Sequence, residues 1–490
     1  MARMWIQGEW SDASSGRVFE VVNPATEEPI DTAPRAEAAD VDRAVAAAAR
    51  AFPEWRRTPG IERAEKLHHV ARKIREDREG LAVLLTKEGG KPLPENRDEI
   101  EWVAACFDYY AEIGRDAIGR VISPVARNQF NFVVKEPYGV AGLIVPWNYP
   151  LLLLSWKLGP ALAAGNTVVA KPSEMTPLST LRLMHAFDEL PPGVVNVLTG
   201  YGAEAGEALV QHRGVEVVAF TGSQATGRKV AVACAQQLKK CHLELGGNDP
   251  LIVDEGVDLD VAARGAAWAC FLNMGQVCTS AERFYVVAPV FDEFVDRFAA
   301  VARSLRIGDP LGPDVDLGPM ISAGQREKLE KKVASAVSGG ARVLAGGKRP
   351  DRFAKGFYYE PTALVEVAPD MELLREETFG PVAPLVRCRD IDEAIALADR
   401  SDYGLGASIY TNSLEHAFKA MERIRAGTFW VNDPLTDNDA GPFGGMRRSG
   451  LGRELGSEGL EDFRDSKHGH LDYVIGAKPY WCPYRFDRKE

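Results

Sequence analysis

The sequence predicts an α/β protein built from two doubly wound α/β lobes and a small β element. Three observations carry that prediction. From Val140 onward, short runs rich in β-branched residues alternate with helical stretches, the pattern of a parallel sheet with helices on both faces. The alternation runs through the chain twice. Between the helical first third and the first such run, Arg120 to Val140 alternates apolar and polar residues, as an exposed antiparallel strand pair does.

In chain order, Asp40 to Trp55 (Ala-rich) and Ile61 to Gly89 read as helices, the second with apolar residues at helical spacing and both charge signs outside. VAGLIV (140–145), TVVAK (167–171), VVNVL (194–198) and VVAFTG (217–222) read as buried parallel strands, with helices at 155–164, 178–190 and 202–212. The second lobe has strands near 250–253, 284–288 and 342–345, and helices at 259–272, 291–305 and 323–338. The stretch RNQFNFVVKEPYG (127–139) offers strand edges that need covering, and a partner subunit is one way to cover them. The C-terminal KPYWCPYRF holds Tyr480, Trp481, Tyr484 and Phe486 beside Pro479 and Pro483. Four aromatics so close together are expected to dock on a surface rather than stay solvated.

Composition narrows the function classes. A chain of 490 residues should hold two or three domains. With 46% apolar and 26% charged residues it is not a disordered chain, and its 46 glycines show no three-residue period. The net charge of −12 and the lack of a long basic run argue against nucleic acid and anionic membranes as partners. Seven cysteines without a CxxC suit a reducing compartment, and no histidine pairs with a cysteine at zinc-ligand spacing, so no metal is expected. MARMWIQGEW lacks the apolar core of a signal peptide. The longest apolar stretch, Tyr138 to Trp156, is interrupted by Pro146, Asn148 and Pro150. A cytoplasmic protein is the expectation.

Six motifs carry the chemistry. Gly200 to Ala205 matches GxGxxG/A after a strand, which is a weak signal, since such turns are often only tight turns. FTGS (220–223) ends a buried strand and opens a helix at Ser223: its backbone N–H groups suit a phosphate, and an ordinary Ser N-cap reads the same way. KPSE (171–174) puts Lys171 and Glu174 at the carboxyl edge of the sheet, as a ribose clamp or as a solvated loop ion pair. GQVCTS (275–280) sets Cys278 in an apolar neighbourhood, where a cysteine is either reactive or an inert small hydrophobe. In LELGGN (243–248), Glu244 is a buried acid that must be paired or protonated, as a core salt bridge or as a general base for water. Asn148, in VPWNYP (145–150), is a buried amide that needs partners.

Taken together, VPWNYP, KPSE, FTGS, LELGGN, NMGQVCTS, EETFGP (376–381) and the run PFGGMRRSGLGRELG (442–456) make the chain resemble the aldehyde dehydrogenase superfamily. The resemblance extends from VVNPATEEPI (21–30) almost to the C-terminus, with the motifs in family order and at family spacing. It implies a Rossmann-like cofactor domain at 1–120 and 139–246 and a catalytic domain at 247–448. It further implies an oligomerisation element at 121–138 and 465–490, which would pair subunits into a dimer or tetramer.

The resemblance also implies roles. Cys278 would be the nucleophile, adding to the aldehyde carbon. The Asn148 amide and the Cys278 N–H would hold the oxyanion. Hydride loss to the nicotinamide would leave a thioester, and Glu244 would activate the water that hydrolyses it. Lys171 counts both with the catalytic residues and, with Glu174, as the adenosine-ribose clamp. Glu377 and Phe379 would contact the nicotinamide ribose and ring. Trp147, Gly222 and Ser223 fall on the pyrophosphate side and Gly202 on the adenine side. Val145, Pro146, Ser173, Phe220, Thr221, Thr226, Leu245 and Gly246 complete the cofactor contacts, again with Glu244. Glu174 favours NAD over NADP, because a carboxylate repels a 2′-phosphate.

The substrate tunnel implied by the resemblance is lined by Tyr149, Leu152, Trp156, Leu272, Val277, Thr279 and Phe443, with Leu435 nearby. No arginine falls there, so uncharged aliphatic or aromatic aldehydes are favoured. Tyr149, Trp156 and Phe443 match three of four aromatic positions of betaine-aldehyde dehydrogenases, and Leu272 breaks the fourth, which makes a betaine or amino-aldehyde the alternative substrate. An acylating relative that passes its thioester to coenzyme A would commonly lack the base, and a non-catalytic relative would lack the nucleophile. Glu244 and Cys278 argue against both.

Overall fold

In a computed structural model, which describes residues 2–116, 119–478 and 480–482, two large sheets organise the chain. The first has eight strands. Its five parallel members lie side by side in the order Lys240–Leu245, Val217–Gly222, Val140–Ile144, Thr167–Lys171 and Val195–Val197. Chain order therefore reverses between Val140–Ile144 and Val217–Gly222, and a doubly wound sheet opens a crevice at such a point, beyond the carboxyl ends of its strands. The second sheet has seven strands in the order Arg342–Ala345, Thr362–Val365, Val382–Cys388, Ala281–Val287, Asp249–Val253, Gly406–Tyr410 and Thr428–Val431. The α/β fold class is thus the observed one.

The strands of both sheet centres are buried throughout, so they carry continuous apolar runs rather than alternation. The helix Pro150–Ala164 is buried on nearly every side. Pro150 opens it, where a missing N–H costs nothing, and Gly165 closes it at φ 98°, its N–H donating to the Ala161 and Leu162 carbonyls.

Several expectations need correction. The first third is not only helical. Met4–Ile6 and Glu9–Ser11 form one edge of the first sheet, and Val18–Asn23 pairs with Glu28–Pro34 in a hairpin. Three-residue strands carry too few residues to show a period. The stretch 61–89 is two helices, Gly60–Glu76 and Arg78–Gly89, broken at Asp77, whose ψ of 17° leaves the helical region. The region 202–212 opens as a π turn, Gly202–Gly206, before the short helix Glu207–Gln211. The region 178–190 is a helix, Pro177–Leu183, that tightens into a 3₁₀ turn, Met184–Phe187. Arg342–Ala345 pairs antiparallel, not parallel, with Thr362–Val365.

A third sheet stands apart. Gln129–Pro137 pairs antiparallel with Gly119–Ile122 on one side and with Arg464–Asp472 on the other, in register from Arg464 opposite Pro137 to Asp472 opposite Gln129. Past it, Tyr480 and Trp481 are exposed in the single chain. Pro479, Pro483, Tyr484 and Phe486 lie outside the described residues. Among the described residues, no helix is long and apolar enough to cross a membrane.

Candidate active site

The crevice is assembled from the ends of neighbouring strands. Val140–Ile144 runs into Val145, Pro146, Trp147 and Asn148, which lead to the helix Pro150–Ala164. Its neighbour Val217–Gly222 runs into Ser223, the N-cap of the helix Gln224–Gln236, whose hydroxyl oxygen accepts from the Thr226 N–H at 3.4 Å. Both readings of FTGS are therefore compatible here: Ser223 caps the helix, and the helix N-terminus opens at the reversal point. The next strand places Glu244 in register with Thr221. After it the chain has no room for side chains. A Cβ on Gly246 would lie 2.4 Å from both carboxylate oxygens of Glu377, and one on Gly247 would lie 2.3 Å from the Cys278 carbonyl. The glycine pair thus lets the base strand, the cysteine loop and the EETFGP loop meet.

Cys278 follows the helix Leu259–Phe271 through a turn in which Asn273 (φ 47°), Met274 (φ 59°) and Gly275 (φ 69°) are all left-handed. Strain of that kind is retained only where the surroundings enforce it. The thiol is half-buried, and burial, with Glu244, Asp249, Asp437 and Glu377 nearby, holds its pKa well above the thiol range. Glu244 is buried, and neither of its carboxylate oxygens has a well-formed hydrogen bond among the described residues, so the core salt bridge is not realised. Burial pushes its pKa well up and Glu454 and Glu377 add to this, whereas Lys157 and the adjacent Cys278 thiol oppose it. The Asn148 side-chain amide donates to the Gln276 carbonyl at 3.0 Å, which fixes it against the cysteine loop, and among the described residues its second N–H has no partner and can serve a ligand.

Residue-by-residue reading missed Lys157. It is buried under the crevice, donating to Thr221 Oγ1 at 2.5 Å and to the carboxylate of Glu454. A lone lysine inside LLLLSWKLGP was a readable signal, since a buried ammonium must be paired. Two acids near the tunnel were missed as well. Asp437 is pushed up to about 7 by burial and lies close enough to raise the pKa values of Cys278 and Tyr149. Glu95 is pushed up to about 8 by burial, accepts from the Asn273 N–H at 3.2 Å, and also faces Tyr149.

The implied tunnel residues largely converge. Tyr149, Leu152, Trp156, Val277 and Phe443 share one buried cluster, with Leu272 and Cys278 packed against it, and the Trp156 and Phe443 rings stand 4.8 Å apart. Thr279 is buried beside Cys278. Leu435, at φ 61°, is half-buried and packs against the core of the second lobe.

On the cofactor side, the Trp147 and Phe379 rings meet edge to face at 5.4 Å, and Glu377 accepts from the Gly247 N–H at 3.2 Å. Burial and the neighbouring Glu282 push Glu377 up to about 8. Lys171 is buried at the end of its strand. Its ammonium donates to the carbonyls of Pro172 (2.7 Å) and Gly200 (2.9 Å), and burial lowers its pKa to about 8. Among the described residues it has no hydrogen bond or ion pair with Cys278 or Glu244. Glu174 lies 4.0 Å from Lys171 with its side chain 35% exposed, so its carboxylate keeps acceptor capacity. Ser173 Oγ accepts from the Met175 N–H, Phe220 and Leu245 pack in one buried cluster, Val145 is buried in another, and Gly202 opens the π turn in an exposed position. A helix N-terminus at the reversal point, a spare carboxylate and a pair of rings make a set of residues that fits a dinucleotide.

Fold and site together define an aldehyde-oxidising enzyme. The chain belongs to the aldehyde dehydrogenase family, whose sequence model matches residues 10–468. It is an NAD(P)-dependent oxidoreductase acting on aldehydes. Betaine aldehyde dehydrogenase 1 of Oryza sativa subsp. japonica is 43% identical over 474 residues, 95% of this chain and 94% of that protein. Peroxisomal aminoaldehyde dehydrogenase 2 of Pisum sativum is 43% identical over 98% of this chain and 97% of its own length. The solved betaine aldehyde dehydrogenase of Staphylococcus aureus, in complex with NAD+, superposes with a TM-score of 0.96 at 35% identity, covering 98% of this chain and 96% of that one.

Proposed function

We propose that the enzyme oxidises cationic aldehydes, amino- or trimethylammonio-substituted, to the corresponding acids, with NAD preferred over NADP. One observation carries the chemistry: Glu244 is a buried carboxyl lacking a well-formed hydrogen bond, beside the half-buried thiol of Cys278. In this reading Glu244 takes the thiol proton and the thiolate adds to the aldehyde carbon. The Asn148 amide and the Cys278 N–H carry the oxyanion. A bound nicotinamide supplies the hydride acceptor. Cys278 is left as a thioester, and Glu244 activates the water that releases the acid. Before the hydrolytic step Glu244 passes the thiol proton to solvent, and Lys157 favours the ionised form that results. Glu377 and Phe379 serve the nicotinamide end and Lys171 with Glu174 the adenosine end.

Asp437 and Glu95 tip the choice of substrate from uncharged to cationic aldehydes. Both acids lie near enough to Tyr149 to raise its pKa, and the curated relatives are named for betaine and amino-aldehydes. A bound cation draws such acids into their ionised forms. We further read 1–120 with 139–246 as the cofactor domain, 247–448 as the catalytic domain, and 121–138 with 465–490 as an oligomerisation element. The open edge of the strand Arg464–Asp472 supports pairing between subunits in a cytoplasmic dimer or tetramer. Cys278→Ala should lower NADH formation by at least ~10⁴-fold. A panel of aldehydes ranked by kcat/KM should place the cationic members first, and uncharged aldehydes at the top would reject the substrate assignment.

A further inference from the structure

Glu282 is the second residue of the strand Ala281–Val287, four residues after Cys278, and its side chain is buried. Its carboxylate accepts three N–H groups from two separate loops: the backbone of Thr378 at 2.8 Å, the backbone of Phe379 at 2.7 Å, and the Asn248 side-chain amide at 2.8 Å. Phe379 is left-handed at φ 52°, a conformation that a side-chain-bearing residue adopts only when something holds it there. Asn248 follows the Gly246–Gly247 pair, and its carbonyl is in turn held by Arg283 Nε at 2.7 Å. One carboxylate therefore joins the cysteine strand, the turn after Glu244 and the EETFGP loop.

We propose that Glu282 is a positioning residue for the nicotinamide end of the cofactor, its carboxylate setting the backbone from which Glu377 and Phe379 project. This rests on the proposed roles of Glu377 and Phe379. Three donors converging on two oxygens call for an acceptor-only, ionised group. Burial raises the Glu282 pKa, while the three donors and Lys332 oppose the rise. Glutamine has the same shape but offers one acceptor oxygen and sets an NH2 group against a backbone N–H, so Glu282→Gln releases one side of the loop.

The test compares ligands that reach different ends of the site. Titration calorimetry on Glu282→Gln should give a Kd for NAD raised about tenfold, as loss of a positioning group does. The Kd for ADP, which has neither the second ribose nor the nicotinamide, should stay within about twofold. Single-turnover NADH formation should slow about tenfold, with a primary isotope effect from a deuterated aldehyde. Asn248→Ala keeps the carboxylate but removes one donor, and should show the same split at about threefold should the glutamine variant fail to fold. Glu377→Gln is the control on the underlying reading. If it leaves NAD binding and hydride transfer unchanged, the cofactor assignment and this inference both fall. If it weakens NAD while Glu282→Gln does not, or if Glu282→Gln weakens NAD and ADP equally, the inference on Glu282 alone is overturned.

Discussion

Replacing Asp437 by Asn removes a tunnel acid without changing its shape, and the structure sets the size of the effect. With its carboxyl pushed up to about 7 by burial, Asp437 is ionised in roughly one molecule in ten at pH 6 and nine in ten at pH 8. Only the ionised form attracts a cation. A trimethylammonio aldehyde carries its charge at every pH, so the substrate itself does not titrate. Its kcat/KM should be divided at each pH by that of an uncharged aldehyde of similar size, which cancels the titration of Cys278 and Glu244 common to both. That ratio should rise up to about tenfold between pH 6 and pH 8 in the parent enzyme. Glu95, pushed up to about 8, should carry the rise somewhat further. In Asp437→Asn the ratio should flatten over the lower part of the range. A flat ratio in the parent, or an unchanged rise in the variant, would refute the cationic tunnel.

The same group makes a stability prediction with a fixed sign. A carboxyl whose pKa is raised on folding holds its proton more tightly in the native state, so its contribution to stability falls as pH rises from about 4 to about 7. Asp437→Asn should therefore raise the thermal midpoint at pH 8 more than at pH 4, read by calorimetry at both. Lys157→Met should move the acid limb of the kcat–pH profile, where Glu244 ionises, upward by about one pH unit, because Glu244 loses a favourable charge. It should also destabilise the fold by about 3–5 kcal/mol by leaving Glu454 unpaired; an unmoved profile would exclude Lys157 from the site's electrostatics. Glu174→Ala should narrow the NAD preference at least several-fold in the ratio of kcat/KM values, and an NADP preference in the parent would reject the clamp. Truncation after Ala477 should lower the thermal midpoint or the oligomer mass seen by light scattering. If neither changes, the aromatic tail is passive.

What was legible in the sequence was local. VVAFTG followed by Ser223 showed a buried strand meeting a helix, and the structure has both, the strand at Val217–Gly222 and the helix starting one residue after Ser223. Glu244 was legible because an acid in an apolar strand is conspicuous, and Glu282, second in AERFYVV, carried the same signal. Residues brought in by tertiary structure were not legible. Asp437 sits in a polar loop, TDNDA, and Glu95 at the start of the helix Leu93–Ile113, so neither stands out until the fold sets it near Tyr149. Lys171 shows the converse. Its motif was read correctly as the end of a strand, but the direction of its ammonium depends on the Pro172 and Gly200 carbonyls, which spacing does not reveal.

The central claim is the division of labour between Cys278 and Glu244, and single-turnover mixing of Glu244→Gln with NAD and an aldehyde tests it most directly. The variant keeps the thiol and the shape of the site but loses the base for water. The expected result is a burst of NADH approaching one equivalent per active site, followed by very slow turnover, with the acyl group trapped on Cys278 and visible as added mass. Steady turnover at the parent rate near neutral pH, with no trapped acyl group, would contradict the account.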